Sequence, residues 1–220
     1  MLEVLYEDNH IIAINKKSGD IVQGDKTGDA PLSDFVKAYI KKKYNKPGEV
    51  FLGTIHRLDR PTSGVVLYAR TSKALTRMNE QFREKQVQKT YWAVVDNAPA
   101  NDSGTLENYL LKNQKQNKSY VTKTEDGKHA VLDFKLLKKL DNFFHLEIKP
   151  KTGRHHQIRV QLAHIGCIIK GDLKYGAKRS NKDASIHLLA QKLEFIHPVK
   201  KEPITIVAPA PKDSIWDACM

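Results

Sequence analysis

Apolar and polar positions change rhythm several times along this chain, and each change marks an element. The segment "YEDNHIIAINKKSGDIVQ" reads as two short strands, the second over residues 10–15, closed by a Lys-Ser-Gly turn. "PLSDFVKAYIKKKY" switches to helical spacing, with Pro31 at an early helical position and Leu32, Phe35, Val36 and Tyr39 on one face. Lys37, Lys41, Lys42 and Lys43 form its far face. "GVVLYAR" is an apolar, β-branched run suited to a buried strand, and "TSKALTRMNEQFREKQ" is an amphipathic helix capped by Thr71 or Ser72. "VQKTYWAVV" is a strand, followed by shorter strands over residues 104–150. "GRHHQIRVQLAHIG" is helical and stops at Gly166, and "SIHLLAQKLEFIHP" alternates as a strand of the main sheet. Many consecutive strands with irregularly placed helices favour an α+β fold over a doubly wound parallel one. The sheet is expected to be large, mixed and mostly antiparallel. No stretch reads as an interdomain linker, so a single domain is expected over residues 1–220.

Composition narrows the class. Hydrophobic residues make up 40% of the chain, as in an ordinary globular protein. No run approaches the roughly 18 apolar residues of a membrane helix. The N-terminus lacks a basic-then-apolar signal, so a cytoplasmic location is expected. The two cysteines, Cys167 and Cys219, have no CxxC or zinc spacing and fit a reducing compartment. The net charge of +12 suits a polyanion, with RNA or DNA phosphates the obvious partner; a basic surface without a dedicated ligand is the alternative.

Against that basic background one acid stands out. "TIHRLDRPTSG" sets Asp59 among His56, Arg57 and Arg60 and ends in the turn-forming run Pro61-Thr62-Ser63-Gly64. It is either a surface loop with solvated charges or a site where one carboxylate works on something anionic. Phosphate-loop, dinucleotide and HExxH motifs are absent, and Ser63 does not sit in GxSxG. His155, His156 and His164 lack the spaced carboxylate or thiol of a metal site. Chemistry without metal or cofactor is therefore the expectation. On a wheel of about 100° per residue, Ile158, Leu162 and Ile165 share a buried stripe, Arg154 falls within it and Arg159 borders it. Half-buried guanidinium groups need a carboxylate, a phosphate or a wet cleft, unless they snorkel to water. A half-buried, ionised Asp59 would in turn suit an Arg partner.

"HRLDRPTSG", "KTYWAVV" and "TGRHHQIRVQLAHIG…IKGDLKYG" occur in that order, and together they resemble the RluA-type pseudouridine synthases. The resemblance runs from the first strands to "LEFIHPVKKEP". It implies the synthase catalytic fold with a central active-site cleft, RNA as partner (ribosomal or transfer) and no cofactor; a monomer is expected because no strongly apolar segment asks for a partner. It also implies isomerisation of uridine: the N-glycosidic bond breaks, the base rotates and rejoins through carbon. Asp59 matches the family's essential aspartate, Tyr91 the aromatic that stacks on the uracil, and Arg159 the basic residue paired with the aspartate. Arg57 matches the arginine that displaces the target nucleotide. His56, Arg60, Thr62 and Arg154 flank these positions as candidate substrate contacts, and Gly171-Asp172 with Tyr175-Gly176 as a turn supporting the site.

Four positions depart from the family pattern. His155 stands where Thr or Ser is frequent, Gln161 and Leu189 where His is, and Ile168 where Pro is. The family's frequent N-terminal S4-like RNA-binding domain has no counterpart before the first strands. RNA capture is accordingly expected from the basic surface itself, with Lys37, Lys41, Lys42, Lys43, Lys112, Lys115 and Lys118 as candidates. The competing reading is a non-catalytic RNA-binding or ribosome-assembly protein on the same scaffold. An acid in the RNA cleft speaks against it, because it repels phosphate.

Overall fold

The computed structural model describes residues 2–24, 28–123 and 126–220. In chain order the elements are β1 (Val4–Glu7), β2 (Ile11–Lys16), α1 (Leu32–Lys43), β3 (Gly53–Thr54), β4 (Ser63–Ala69), α2 (Ser72–Arg83) and β5 (Gln88–Val95). They continue as β6 (Ser103–Asn113), β7 (Lys118–Thr122), β8 (Lys128–Lys139), β9 (Phe144–Pro150), α3 (Gln157–His164), a 3-10 turn (Leu173–Tyr175), β10 (Leu188–Ile196), β11 (Pro203–Val207) and α4 (Ser214–Cys219). The chain divides into two units, Met1–Gln88 with Ala190–Pro209, and Lys89–Leu189 with Ala210–Met220.

In the first unit the strands run β1-β2-β4-β10, with β3 on β4 and β11 on β10. All seven residues of β4 are buried. A continuous apolar run is what a strand covered on both faces requires, whereas one-sided burial would alternate. α1 lays Leu32, Val36 and Ile40 against Ile12, Ile14, Val66 and Tyr68. Phe35, expected on that face, is 58% exposed, because the helix turns Ile40 inward instead. α2 is capped by the Thr71 hydroxyl, which accepts from the Ala74 N–H at 3.2 Å. Its Gln81 amide exchanges two hydrogen bonds with the backbone of Ile196 at the end of β10, at 2.8 and 3.1 Å.

In the second unit the order is β5-β9-β8-β6-β7, and each of these ladders is antiparallel. β6 and β8, 11 and 12 residues long, exceed the short strands expected there. Ala93, Val95, Leu132, Leu146 and Ile148 build the core against Ile158 and Leu162 of α3. Both cysteines lie in this unit, buried as free thiols. The elements together make an α+β fold with antiparallel pairing, as the pattern of strands and helices predicts.

Candidate functional site

The first unit carries Asp59 in the segment between β3 and β4. The Thr62 N–H donates to the Asp59 carbonyl at 3.0 Å, closing a tight turn. Beneath that turn Lys16, the last residue of β2, has no exposed surface. Its ammonium donates to three backbone carbonyls: Thr62 at 2.7 Å, Arg60 at 3.0 Å and Lys17 at 3.0 Å. An ammonium has three N–H groups, and all three are used. Burial pushes this lysine down to about 8, and the charges of Asp20 and Asp59 oppose that shift. A lysine beside a turn is ordinarily solvated, so the sequence pattern passes over it.

Gly64, the second residue of β4, has φ at +115°. A Cβ there would run into the carbonyl of Ala190 on β10, so only glycine permits this approach. His56 accepts the Leu67 N–H on its Nε2 at 3.1 Å and stacks on Phe82 with ring centroids 5.2 Å apart. An accepting Nε2 places the proton of the neutral ring on Nδ1. Arg57 is exposed and Asp59 half-buried. Arg60 forms a surface pair with Asp29 at 2.8 Å. Thr62 is buried and gives its backbone to the turn.

The second unit carries Tyr91, Arg154 and Arg159. Tyr91 in β5 lies opposite Ile148 of β9, half-buried against the core. α3 begins at Gln157 and does not reach back to Gly153, because His156 adopts φ 53°, ψ 25°. Arg154 therefore lies outside the helix, exposed, with its Nε on the His129 carbonyl at 2.8 Å. Ile165, 38% exposed, caps the other end. The buried stripe expected through Arg154 and Ile165 is replaced by burial all round: every residue from Gln157 to Leu162 is inside. A wheel assumes a helix on a surface; this one is enclosed.

Arg159 is consequently an internal guanidinium. Its Nε and one terminal nitrogen donate to the two carboxylate oxygens of Asp172 at 2.7 and 2.8 Å, with 4% and 1% of the two residues exposed. The guanidinium carbon stands 5.1 Å from the centroid of the Tyr175 ring. The Tyr175 hydroxyl accepts from the Ser119 N–H at 2.9 Å and hydrogen-bonds His156 Nδ1 at 2.9 Å. Burial, then the Arg159 charge, pushes the His156 imidazole down to about 2, so this ring is neutral. Asp172 and Tyr175, from the turn after α3, thus both contact Arg159 directly.

The departures from the family pattern are structural fasteners. His155 links Ser119 Oγ at 2.8 Å and Asn117 Oδ1 at 3.2 Å. Gln161 donates to the carbonyl of Leu106 and to Asn108 Oδ1 at 3.1 and 2.9 Å, tying α3 to β6. The Ile168 N–H donates to Asp96 Oδ1 at 2.9 Å, a bond that proline could not make. Leu189 is fully buried. Lys89, two residues before Tyr91, is a further feature the sequence pattern does not single out: burial lowers its ammonium pKa. Among the described residues no group of three or more His, Cys, Asp or Glu side chains is placed to hold a metal ion.

Comparison with known proteins gives a consistent result. The family model described as RNA pseudouridylate synthase matches residues 10–164. The chain is 36% identical to the ribosomal large subunit pseudouridine synthase D of Xylella fastidiosa, over 96% of this chain and 67% of that protein. It is 34% identical to an uncharacterized RNA pseudouridine synthase of Bacillus subtilis, over 96% of this chain and 70% of that one. It thus spans about two thirds of the length of these relatives. The solved structure of human RNA pseudouridylate synthase domain containing 4 superposes with a TM-score of 0.81 at 24% identity, covering 97% of this chain and 90% of that one, and shares the fold. With the motif order, the fold and the family model in agreement, the chain belongs to the RNA pseudouridylate synthases, the enzymes that isomerise uridine to pseudouridine in RNA.

Proposed function

We propose that this chain acts on uridines of ribosomal RNA, with residues 1–220 working as one catalytic domain and Asp59 as the group that acts on the target uridine. Tyr91 takes the role of stacking aromatic, Arg159 that of the basic residue of the catalytic set, and Arg57 that of the side chain that displaces the nucleotide. His56, Arg60, Thr62 and Arg154 flank them; Arg57 and Arg154, both exposed, suit phosphate contact. A monomer acting in the cytoplasm, without metal or cofactor, is part of this reading.

The observation that carries it is the Asp59 turn: a half-buried carboxylate on backbone that a buried ammonium grips at both Arg60 and Thr62. A catalytic group gains from such rigidity, because misplacement by an ångström is costly. A solvated surface acid has no use for it. Unstacking the target base costs a few kcal/mol, and one aromatic face returns roughly 1–3 kcal/mol. The names of the relatives support the ribosomal target.

The test is to map pseudouridines in total RNA from cells with and without the gene, complemented by wild type or by Asp59→Asn. Wild type should restore one or more sites in ribosomal RNA, and Asp59→Asn, folded, should restore none. Full restoration by Asp59→Asn would overturn the role, and sites confined to transfer RNA would overturn the target.

A further inference from the structure

We infer that the C-terminal turn of α1, through Lys41, Lys42, Tyr44 and Lys46, is an RNA-docking surface outside the Asp59 turn; this rests on the functional reading above. The helix ends because Asn45 adopts φ 46°, the left-handed position. The Lys46 N–H then bonds back to the Lys41 carbonyl at 3.1 Å, and the Tyr44 N–H to the Ile40 carbonyl at 3.1 Å. That reversal folds Lys46 over the last helical turn. Residues 41–46, "KKKYNK", carry four lysines and no acid.

The neighbouring acid is already spent. Glu7, almost buried, accepts from Lys43 Nζ at 2.6 Å, Arg70 at 3.1 Å, Tyr39 Oη at 2.9 Å and Tyr44 Oη at 2.9 Å. Lys43 is thereby withdrawn from the surface set, although its sequence position equals that of its neighbours. Lys41, Lys42 and Lys46 are exposed, and none has a carboxylate within ion-pairing distance among the described residues. The helix terminus itself disfavours an anion, by roughly half a charge. Three full charges on long stems outweigh it.

The aromatic decides the partner. Tyr44 is 40% exposed, its hydroxyl is anchored on Glu7, and the Arg70 guanidinium carbon lies 4.6 Å from its ring centroid. A ring held at its tip and backed by a guanidinium is a stacking platform set beside phosphate-binding charges. That combination fits a segment of RNA with an unpaired base. An acidic protein would use the lysines and leave the ring idle.

The full chain carrying K41E/K42E/K46E, and separately Tyr44→Ala, should be compared with wild type in binding a ribosomal RNA fragment across a salt series and in steady-state isomerisation. For the triple variant, the slope of log affinity against log salt should fall by about two to three, at roughly 0.7–0.9 per lost contact. KM should rise tenfold or more with kcat unchanged. Tyr44→Ala should weaken binding to a fragment with an unpaired base and leave a paired duplex unaffected. Should the triple variant not fold, K41Q/K42Q/K46Q is read in its place. A wild-type slope and KM in the folded variant would overturn the proposal while leaving the isomerase reading intact; a wild-type protein without isomerase activity on any ribosomal RNA would overturn both. Capture of a polyglutamate peptide by the same lysines, with RNA affinity unaltered, would assign the surface to a protein and overturn it too.

Discussion

Lys16 Nζ donates to the Thr62 carbonyl oxygen at 2.7 Å, so the last residue of β2 holds the residue that precedes β4. Removing that ammonium takes the donor from the Thr62 carbonyl, while the Arg60 and Lys17 carbonyls keep the Gly19 N–H at 2.9 Å and the Asp20 N–H at 3.4 Å. An orphaned buried acceptor costs about 1–3 kcal/mol. Lys16→Met, close in length, should therefore lose about 1–3 kcal/mol, read as a lower urea midpoint at unchanged slope. A midpoint equal to wild type would show that the turn holds itself.

Gly64 gives a second prediction in the same turn. Alanine there meets both an unsuitable φ of +115° and the Ala190 carbonyl. Neither strand can retreat without breaking its ladder, so Gly64→Ala should cost about 3 kcal/mol or more. Thermal unfolding checks it; a shift under about 2 °C would mean that the backbone yields.

The Arg159–Asp172 pair should show strong coupling. Each partner alone strands a buried charge, at about 3–5 kcal/mol. Replacing both by Met and Leu removes the charges together, so the double variant should lose less than the two single losses added. The coupling should exceed about 1.5 kcal/mol in urea unfolding. Additive losses would contradict a direct ionic clamp.

Stability should also fall with acid in a way assigned to two rings. Burial pushes His145 down to about 4, and burial with the Arg159 charge pushes His156 to about 2, against 6.5 in the open chain. Both stay neutral in the fold and take a proton on unfolding. Below pH 6.5 the unfolded chain therefore binds the extra protons, and each ring removes about 1.4 kcal/mol per pH unit. His145 is the better test, since both its ring nitrogens lack a hydrogen-bond partner among the described residues. His145→Leu should shrink the stability difference between pH 7 and pH 5 by about 2 kcal/mol. If the variant keeps the wild-type difference, the ring is already charged in the fold.

Much of this arrangement could be read from the chain alone, and the failures have physical causes. β4 and α2 were legible because a six-residue apolar run and a Thr cap are local signals. The Asp59 motif was legible because an acid among cations is unusual in so basic a chain. Lys16 was not, since internal burial of a lysine depends on carbonyls 44 and 46 residues away. The start of α3 was not either. The left-handed His156 is held by the Tyr175 hydroxyl, and no property of "TGRHHQ" announces it. Lys43 looked equivalent to Lys41 and Lys42 because Glu7 is 36 residues distant.

The placement of sulfur has a practical corollary. Cys167 and Cys219 both belong to the second unit, and burial raises each thiol to about 11. The first unit contains no cysteine. A maleimide added to the native protein thus finds almost no thiolate until the second unit opens, and the opening of the first leaves no mark. The rate of alkylation becomes a clock for one half of the molecule, already installed and needing no engineered label.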